Sequence, residues 1–486
     1  MTEVDNYQRQ LDNALSSFKK ANYQEAITQL KILGSKYTNF LLYWYLGHSY
    51  FRIYDYLSAL ENIKISIKLK SEDVLNLNFL GEIYLNLSDY ENAIINFEKA
   101  LEINQKDIST LSNLARSFFE TGKFQEAEKF YKLIIKNDKT NMFSNYQLIK
   151  LDKKNLTDEL IDYIVNNEDT LNSDNKIYAK LILAEYEKDK KNYKSELNNL
   201  ILAHNIFLEK KKLAAVQEFN YFTNLLPKFI EKSINREFKI NCKAKPIFIM
   251  GLPRSGTTLV ENIILSANKV IKSGEESGVV GKVFYSKQLI KDYDSKELNF
   301  NFNFDKNDFE ELKKSIHKQY LQLGIDVEKN IFTDKSLENF LYIEIIHKIF
   351  PNAKFIYCKR NKLANFLGIL KVFLPNLLWS HSLDNINTIM NTYDYKLKKI
   401  LADKKLNIKI LNLEELTKNP KKITKDLFNF LGFEWKQEFL DLSLIEKKSI
   451  KTLSNIQSRK KIIEHDLNYL DNYSPFLKNF GITLEN

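Results

Sequence analysis

Over residues 1–150 the apolar positions recur at helical spacing, and the whole pattern then repeats. The segments NYQEAI, DYLSAL, DYENAI and KFQEAE place alanine at 26, 59, 93 and 127, in steps of 33, 34 and 34 residues. An aromatic stands three residues before each alanine, at Tyr23, Tyr56, Tyr90 and Phe124. A second register keeps the same period: Leu46-Gly47, Leu80-Gly81 and Leu114-Ala115, followed by Tyr50, Tyr84 and Phe118. A small residue at a fixed place lets two helices approach, and the aromatic fills the gap beside it. The pattern predicts two antiparallel helices per repeat.

A period of about 34 residues with this spacing of small and aromatic positions resembles the tetratricopeptide repeat. The stretch LEINQKDIST lacks the proline usual between such repeats, which predicts softer hairpin ends. Residues 177–212 read as a further helical pair. Stacked repeats form a concave surface suited to a protein or peptide partner, with a plain helical scaffold as the alternative. Near residue 240 the pattern changes. KPIFIMG (245–251), AKFIYCKR (353–360) and NIKILNL (407–413) are short apolar runs. Helical stretches at 306–325, 338–350, 384–402 and 422–432 lie around them. Short apolar strands separated by helices indicate a mostly parallel sheet covered on both faces. The expected fold is thus an all-α tetratricopeptide-type solenoid followed by an α/β P-loop-like domain with a mostly parallel sheet. Its expected divisions are repeats over 1–150, a helical extension and linker over 151–240, and the α/β domain over 241–486.

Composition narrows the function classes. The chain has 486 residues, 44% of them hydrophobic, enough for more than one core. No run approaches the roughly 20 apolar residues of a membrane helix, and the N-terminus lacks the basic and apolar regions of a signal peptide. Two cysteines far apart, Cys242 and Cys358, argue against a disulfide framework and for a cytoplasmic setting. Six histidines show no metal-ligand spacing, so no metal is expected. The net charge of +10 is spread along the chain as lysine and reads as a basic surface, with no nucleic-acid partner expected. Only seven of the 72 cationic residues are arginine: 9, 52, 116, 236, 254, 360 and 459. Arginine in a lysine-rich chain suggests places where a rigid fork must grip phosphate or carboxylate.

The segment Gly251-Leu252-Pro253-Arg254-Ser255-Gly256-Thr257-Thr258-Leu259 carries the candidate chemistry. A buried strand enters it and an amphipathic helix leaves it. Glycines and hydroxyls at a helix N-terminus make an anion cradle of backbone amides and side-chain donors. The spacing is close to the nucleotide loop G-x-x-x-x-G-K-[ST], but Thr257 stands at the lysine position. That argues against an ordinary ATPase or GTPase, and Arg254 is the cation available inside the loop.

Pro253-Arg254-Ser255-Gly256-Thr257-Thr258 after a strand resembles the 5′-phosphosulfate-binding loop of sulfotransferases. Ser273-Gly274-Glu275-Glu276-Ser277 resembles the segment of tyrosylprotein sulfotransferases that carries the catalytic glutamate. Later segments keep the family's order, so the resemblance covers about residues 245–475. Repeats fused to such a domain are similar to a bacterial group of tetratricopeptide sulfotransferases. The resemblance implies 3′-phosphoadenosine 5′-phosphosulfate (PAPS) as co-substrate and transfer of its sulfuryl group to a hydroxyl. The acceptor classes it leaves open are peptide, including protein tyrosine, glycan, lipid headgroup and small molecule. It makes Glu276 the general base, with Glu275 the neighbouring alternative. Lys335, in Thr333-Asp334-Lys335-Ser336, matches a lysine near the transferring group. Arg254, Ser255, Gly256, Thr257 and Thr258 match the 5′ loop, with Arg254 also counted as catalytic. Arg360, after Ile356-Tyr357-Cys358-Lys359, matches the arginine that grips the 3′-phosphate. The segment 451–460 resembles a loop that closes over the nucleotide, with Ser454 and Arg459 as contacts.

Two positions depart from the family pattern. Gly368 stands where a serine contacts the 3′-phosphate, with Lys371 as a candidate substitute. Leu413, in Leu413-Glu414-Glu415-Leu416, stands where tyrosine is usual. These departures sustain a second reading, a catalytically weakened nucleotide-binding repeat scaffold. A P-loop phosphotransferase is a third, disfavoured by Thr257. His381, in Trp379-Ser380-His381, reads as structural.

Overall fold

The computed structural model describes residues 3–70, 73–233, 240–267, 271–290, 299–300, 304–403, 406–442 and 462–478. It divides into two compact units: 1–137 with 285–301 and 315–324, and 138–284 with 302–314 and 325–486.

The first unit is built from helical hairpins. Its pairs are Glu3–Lys19 with Tyr23–Gly34, Phe40–Arg52 with Tyr56–Leu69, Val74–Asn86 with Tyr90–Ile103, and Ile108–Glu120 with Phe124–Asn137. Ala26, Ala59, Ala93 and Ala127 are fully buried, as the small-residue period predicts. A Cβ on Gly81 would lie 2.3 Å from Cε1 of Phe97, so only glycine fits there. The ends are not loose for want of proline. Asn39, Asp73 and Asp107, spaced by 34 residues, cap the first helices by accepting from the amides of Leu41, Asn76 and Thr110. Each satisfies one of the amides a helix start leaves unpaired. The tight turn inside each hairpin needs a left-handed residue, supplied by Ala21, Tyr54, Ser88 and Gly122 at φ of 59°, 64°, 61° and 77°. Lys318 pairs with Asp55 at 2.7 Å, tying the 315–324 segment into this unit.

The second unit opens on the helices Met142–Leu151, Asp158–Asn167, Ser173–Asp189 and Tyr193–Asn220. The last two are the pair expected over 177–212. A five-stranded sheet follows. Its strands are β1 (Ile247–Gly251), β2 (Lys272–Ser273), β5 (Phe332–Asp334), β6 (Lys354–Lys359) and β7 (Ile408–Asn412), in the order β2-β5-β1-β6-β7. Every pairing in it is parallel. β3 (Leu289–Ile290) and β4 (Asn299–Phe300) form a separate antiparallel ribbon in the first unit. All five residues of β1 are buried, because helices cover both faces of a parallel sheet. On one face Val260, Ile263 and Ile264 of the helix Thr257–Ala267 join Leu427, Phe428 and Leu431 of the helix Pro420–Leu431 over Ile249 and Ile356. On the other, Phe248 packs against Phe350 and Phe355.

Register decides where the chemistry gathers. Gly251 lies opposite Cys358, Lys359 opposite Asn412, and Ser273 opposite Thr333. The carboxyl ends of the strands therefore share one edge of the sheet, where open α/β sheets place their ligand crevice. Among the described residues no helix is long and apolar enough to cross a membrane.

Candidate functional site

The loop after β1 turns sharply. Ser255 N donates to Leu252 O at 3.2 Å, and Val260 N donates to Gly256 O at 3.1 Å as the helix begins. Arg254 and Gly256 hold left-handed backbones at φ of 68° and 92°. Glycine suits that region, while an arginine in it is strained by about 1–3 kcal/mol. Ser255, Thr257 and Thr258 are buried at the helix start. A Cβ on Gly256 would sit 2.6 Å from Cδ1 of Leu413, so Leu413 packs directly on the loop.

Neighbouring strand ends hold the loop in place. Arg360 Nη1, just past β6, donates to Arg254 O at 3.0 Å. Asn365 Nδ2 donates to Pro253 O at 2.6 Å. Asn361 N donates to Glu414 Oε1 at 3.1 Å, which joins the segment after β6 to the segment after β7. Gly368 lies against both arginines: its Cβ would meet Arg254 Cβ and Arg360 Nη1 at 3.2 Å each. Burial first, and then the Arg360 charge beside it, lower the Arg254 pKa to about 10. Ser255 Oγ, Arg360 Nε and Glu414 Oε2 are buried without a hydrogen-bond partner among the described residues. Buried donors left unpaired are costly, by about 1–3 kcal/mol each, and the Ser255 hydroxyl together with the Arg360 guanidinium suits an anion.

Beyond the other side of β1, the turn 274–278 and the end of β5 form a second cluster. Lys335 is fully buried, and its Nζ donates to Glu276 Oε1 at 2.9 Å. Burial opposes its charge, but Glu276, Glu261 and Glu275 outweigh that and raise its pKa. The ammonium therefore stays charged at neutral pH. The Glu276 side chain keeps 34% of its surface open to solvent. Asp334 builds the turn: it accepts from Ser277 Oγ at 2.7 Å, Ser336 N at 2.9 Å and Asn339 Nδ2 at 2.7 Å. Lys335 N donates to Glu275 O at 2.8 Å, and Glu275 takes a left-handed φ of 38°. Glu261, buried in the helix after the loop, accepts from Thr333 Oγ1 at 2.7 Å and Ser273 Oγ at 3.2 Å. Burial raises its pKa, with Lys335 and these hydroxyls pulling the other way.

The arrangement thus gathers Arg254, Ser255, Gly256, Thr257, Thr258 and Arg360 around one loop. It joins Glu276 to Lys335 at the same sheet edge. Ser454 and Arg459 lie outside the described residues. Lys371 does not reach the Gly368 position: its Nζ pairs with Glu196 at 2.9 Å and lies 3.7 Å from the Tyr473 ring centroid. His381 is packed inside, its Nδ1 2.7 Å from Nδ1 of His204 and its Nε2 3.0 Å from Leu374 O. Sequence reasoning missed Asp334, Glu261, Asn365 and Glu414. Asp334 and Glu414 stood inside motifs already singled out, and a buried acid beside a catalytic-type lysine was the signal available.

Residues 246–437 match the sequence model of the sulfotransferase family, and residues 71–140 match that of the tetratricopeptide repeat. An uncharacterized protein of Aquifex aeolicus is 26% identical over 386 residues, covering 73% of this chain and 47% of the relative. Protein-tyrosine sulfotransferase 1 of Danio rerio is 26% identical over 235 residues, covering 46% of this chain and 64% of the relative. The chain thus spans between about half and two thirds of the length of these relatives. Among solved structures, the sulfotransferase domain of the Synechococcus PCC 7002 olefin synthase aligns at 15% identity and a TM-score of 0.31, over 52% of this chain and all of that one. The chain therefore carries a sulfotransferase-family domain, matched over residues 246–437, behind tetratricopeptide repeats, matched over residues 71–140.

Proposed function

We propose that this protein transfers the sulfuryl group of PAPS to a hydroxyl acceptor. The observation that carries the reading is the pairing of Glu276 with Lys335 at the sheet edge where Ser255 Oγ and Arg360 Nε lie buried and unpaired. The loop 254–258 would hold the donor's 5′-phosphate through its amides, Ser255, Thr257 and Thr258. Arg360 would grip the 3′-phosphate. Glu276, partly open to solvent and hydrogen-bonded to a buried ammonium, takes the proton of the acceptor hydroxyl as its oxygen attacks sulfur. The bond from sulfur to the bridging oxygen breaks, and adenosine 3′,5′-bisphosphate leaves. Lys335, with Arg254, stabilises the charge developing on that oxygen. Positioning and fixed cations supply the catalysis, so the scheme calls for no metal.

The division into repeats over 1–150, a helical extension over 151–240 and a donor-binding domain over 241–486 belongs to this proposal. Ser454 and Arg459 belong to it as further donor contacts. So does a cytoplasmic site of action. Protein tyrosine is the acceptor suggested by likeness to the Danio rerio enzyme, with a peptide bound on the repeats. Glycans and small alcohols are the competing classes.

The test is transfer of labelled sulfuryl from PAPS to tyrosine peptides, glycans and small alcohols. Labelled product that disappears in Glu276→Gln supports the enzyme. Donor binding with no product on any acceptor favours the weakened scaffold, which Gly368 keeps in play. Binding of ATP–Mg²⁺ in preference to PAPS favours a phosphotransferase.

A further inference from the structure

His204 and His381 are both buried in the second unit, with their Nδ1 atoms 2.7 Å apart. His204 Nε2 lies 2.8 Å from Leu370 O, and His381 Nε2 lies 3.0 Å from Leu374 O. Three hydrogen bonds thus run in a row, from one carbonyl through two rings to the other carbonyl. A carbonyl only accepts, so each Nε2 must carry a proton. The contact between the two Nδ1 atoms needs a third. Two neutral imidazoles bring only one proton each. We propose that His204 and His381 share a third proton, and that the singly charged pair positions the donor-binding loop through Leu370. The positioning role rests on the donor reading above.

Leu370 ends the helix Lys362–Leu370. On that helix Asn365 Nδ2 donates to Pro253 O at 2.6 Å, and Gly368 lies against Arg254 and Arg360. His204 therefore fastens, at its last carbonyl, the helix that braces the loop. The surroundings suit one positive charge. The carbonyl end of a helix carries partial negative charge. The Phe207 ring centroid lies 4.3 Å from that of His381, tilted by 39°, where an aromatic face favours a cation. Burial, and then His204, hold the His381 pKa down at about 3, and burial holds that of His204 near 4, so the pair takes no fourth proton. The third is held differently. Its removal leaves two Nδ1 lone pairs facing each other at 2.7 Å, closed off from water.

Other titratable groups pack around the pair. Glu196, two turns before His204, pairs with Lys371 at 2.9 Å and accepts from the Tyr473 hydroxyl at 2.6 Å. Glu218, on the same helix, accepts from Trp379 N at 3.0 Å. From the helix Ser173–Asp189, Tyr178 packs against Phe373 at 5.8 Å, and Glu185 and Lys188 act on Lys371. All of them stay in the variants compared below, so their titration cancels. Unfolded histidine titrates near pH 6.5. Stability from the shared proton is complete below that value and is lost as the pH rises through the pair's own, higher pKa. In between, the folding constant falls about tenfold per pH unit, because the folded chain holds a proton the unfolded chain has released. A neutral pair gives no such alkaline slope.

The experiment is urea unfolding of the full chain at pH 7 and pH 8.5, with calorimetric titration of adenosine 3′,5′-bisphosphate at each pH. It compares wild type with His381→Asn and His204→Asn, whose amide donates to the remaining Nδ1 without a third proton. Between the two pH values the wild-type folding constant should fall about tenfold relative to either variant. Wild-type bisphosphate affinity should fall about fivefold or more, and that of the variants should stay level. In wild type alone, nitrogen spectra of labelled histidine at pH 7.5 should show a proton on the Nδ1 pair. Bare Nδ1 on both rings, or equal alkaline slopes in all three proteins, overturns the shared proton. A wild-type slope with no matching loss of affinity overturns the positioning role. A wild-type chain that binds no bisphosphate at either pH overturns the donor reading instead, and the slope still decides the proton.

Discussion

Arg254 and Glu275 are the two non-glycine residues of the site with left-handed backbones, and each sits beside a group assigned to the chemistry. Strain of this kind persists only where the surroundings impose it. Gly256 has no such tolerance, since its φ of 92° and the 2.6 Å approach of Leu413 leave no room for a methyl group. Gly256→Ala should lower bisphosphate affinity at least about tenfold, measured by calorimetry, through distortion of the loop. Glu276→Gln should leave that affinity unchanged and lower turnover about 10²- to 10⁴-fold, the worth of a general base. The loop, Glu276, Lys335 and Arg360 were legible because each stands in a short local motif. Glu261 and Asn365 were not, because their partners lie 72 and 112 residues away. Only the folded sheet brings those residues together.

Among the elements, the repeats were the most legible. A period carried by Ala26, Ala59, Ala93 and Ala127 reports packing directly. Strands β1, β6 and β7 were legible as apolar runs of five or six residues. β2 and β5 are two and three residues long, too short for any periodic signal, and their place is fixed by pairing alone. The caps at Asp73 and Asp107 were not legible, because an isolated aspartate in a polar connection is also an ordinary solvated turn residue. Two substitutions test the hairpin geometry. Ser88 holds φ 61° in the tight turn where the next repeat uses Gly122, so Ser88→Gly should stabilise by about 1 kcal/mol. Gly81→Ala would drive a methyl group into the Phe97 ring and should destabilise by about 1–3 kcal/mol. Urea unfolding of the full chain, followed by a probe in the repeats, reads both.

For the whole molecule, acid sensitivity follows from buried rings. His48 stacks on Phe79 at 3.6 Å and packs against Trp44 at 3.9 Å. Burial, and then Arg52, lower its pKa to about 4. The unfolded value near 6.5 lies above this, so the unfolded chain binds the proton first. Stability is complete above pH 6.5 and falls as the pH drops toward 4. At pH 5 the loss from this one ring is roughly 2 kcal/mol, at 1.36 kcal/mol per unit. His48→Phe keeps the stack and removes the proton, so its urea midpoint in the repeats should change less between pH 7 and pH 5 than that of wild type.

The central claim concerns one nucleotide site at the carboxyl edge of the sheet, where a loop and an arginine hold a two-ended anion. Calorimetric titration with adenosine 3′,5′-bisphosphate tests it most directly, in wild type, Arg360→Ala and Glu276→Gln. The account predicts tight binding in wild type, its loss in Arg360→Ala and its retention in Glu276→Gln. Bisphosphate binding that is indifferent to Arg360, or absent from the wild-type chain, would contradict it.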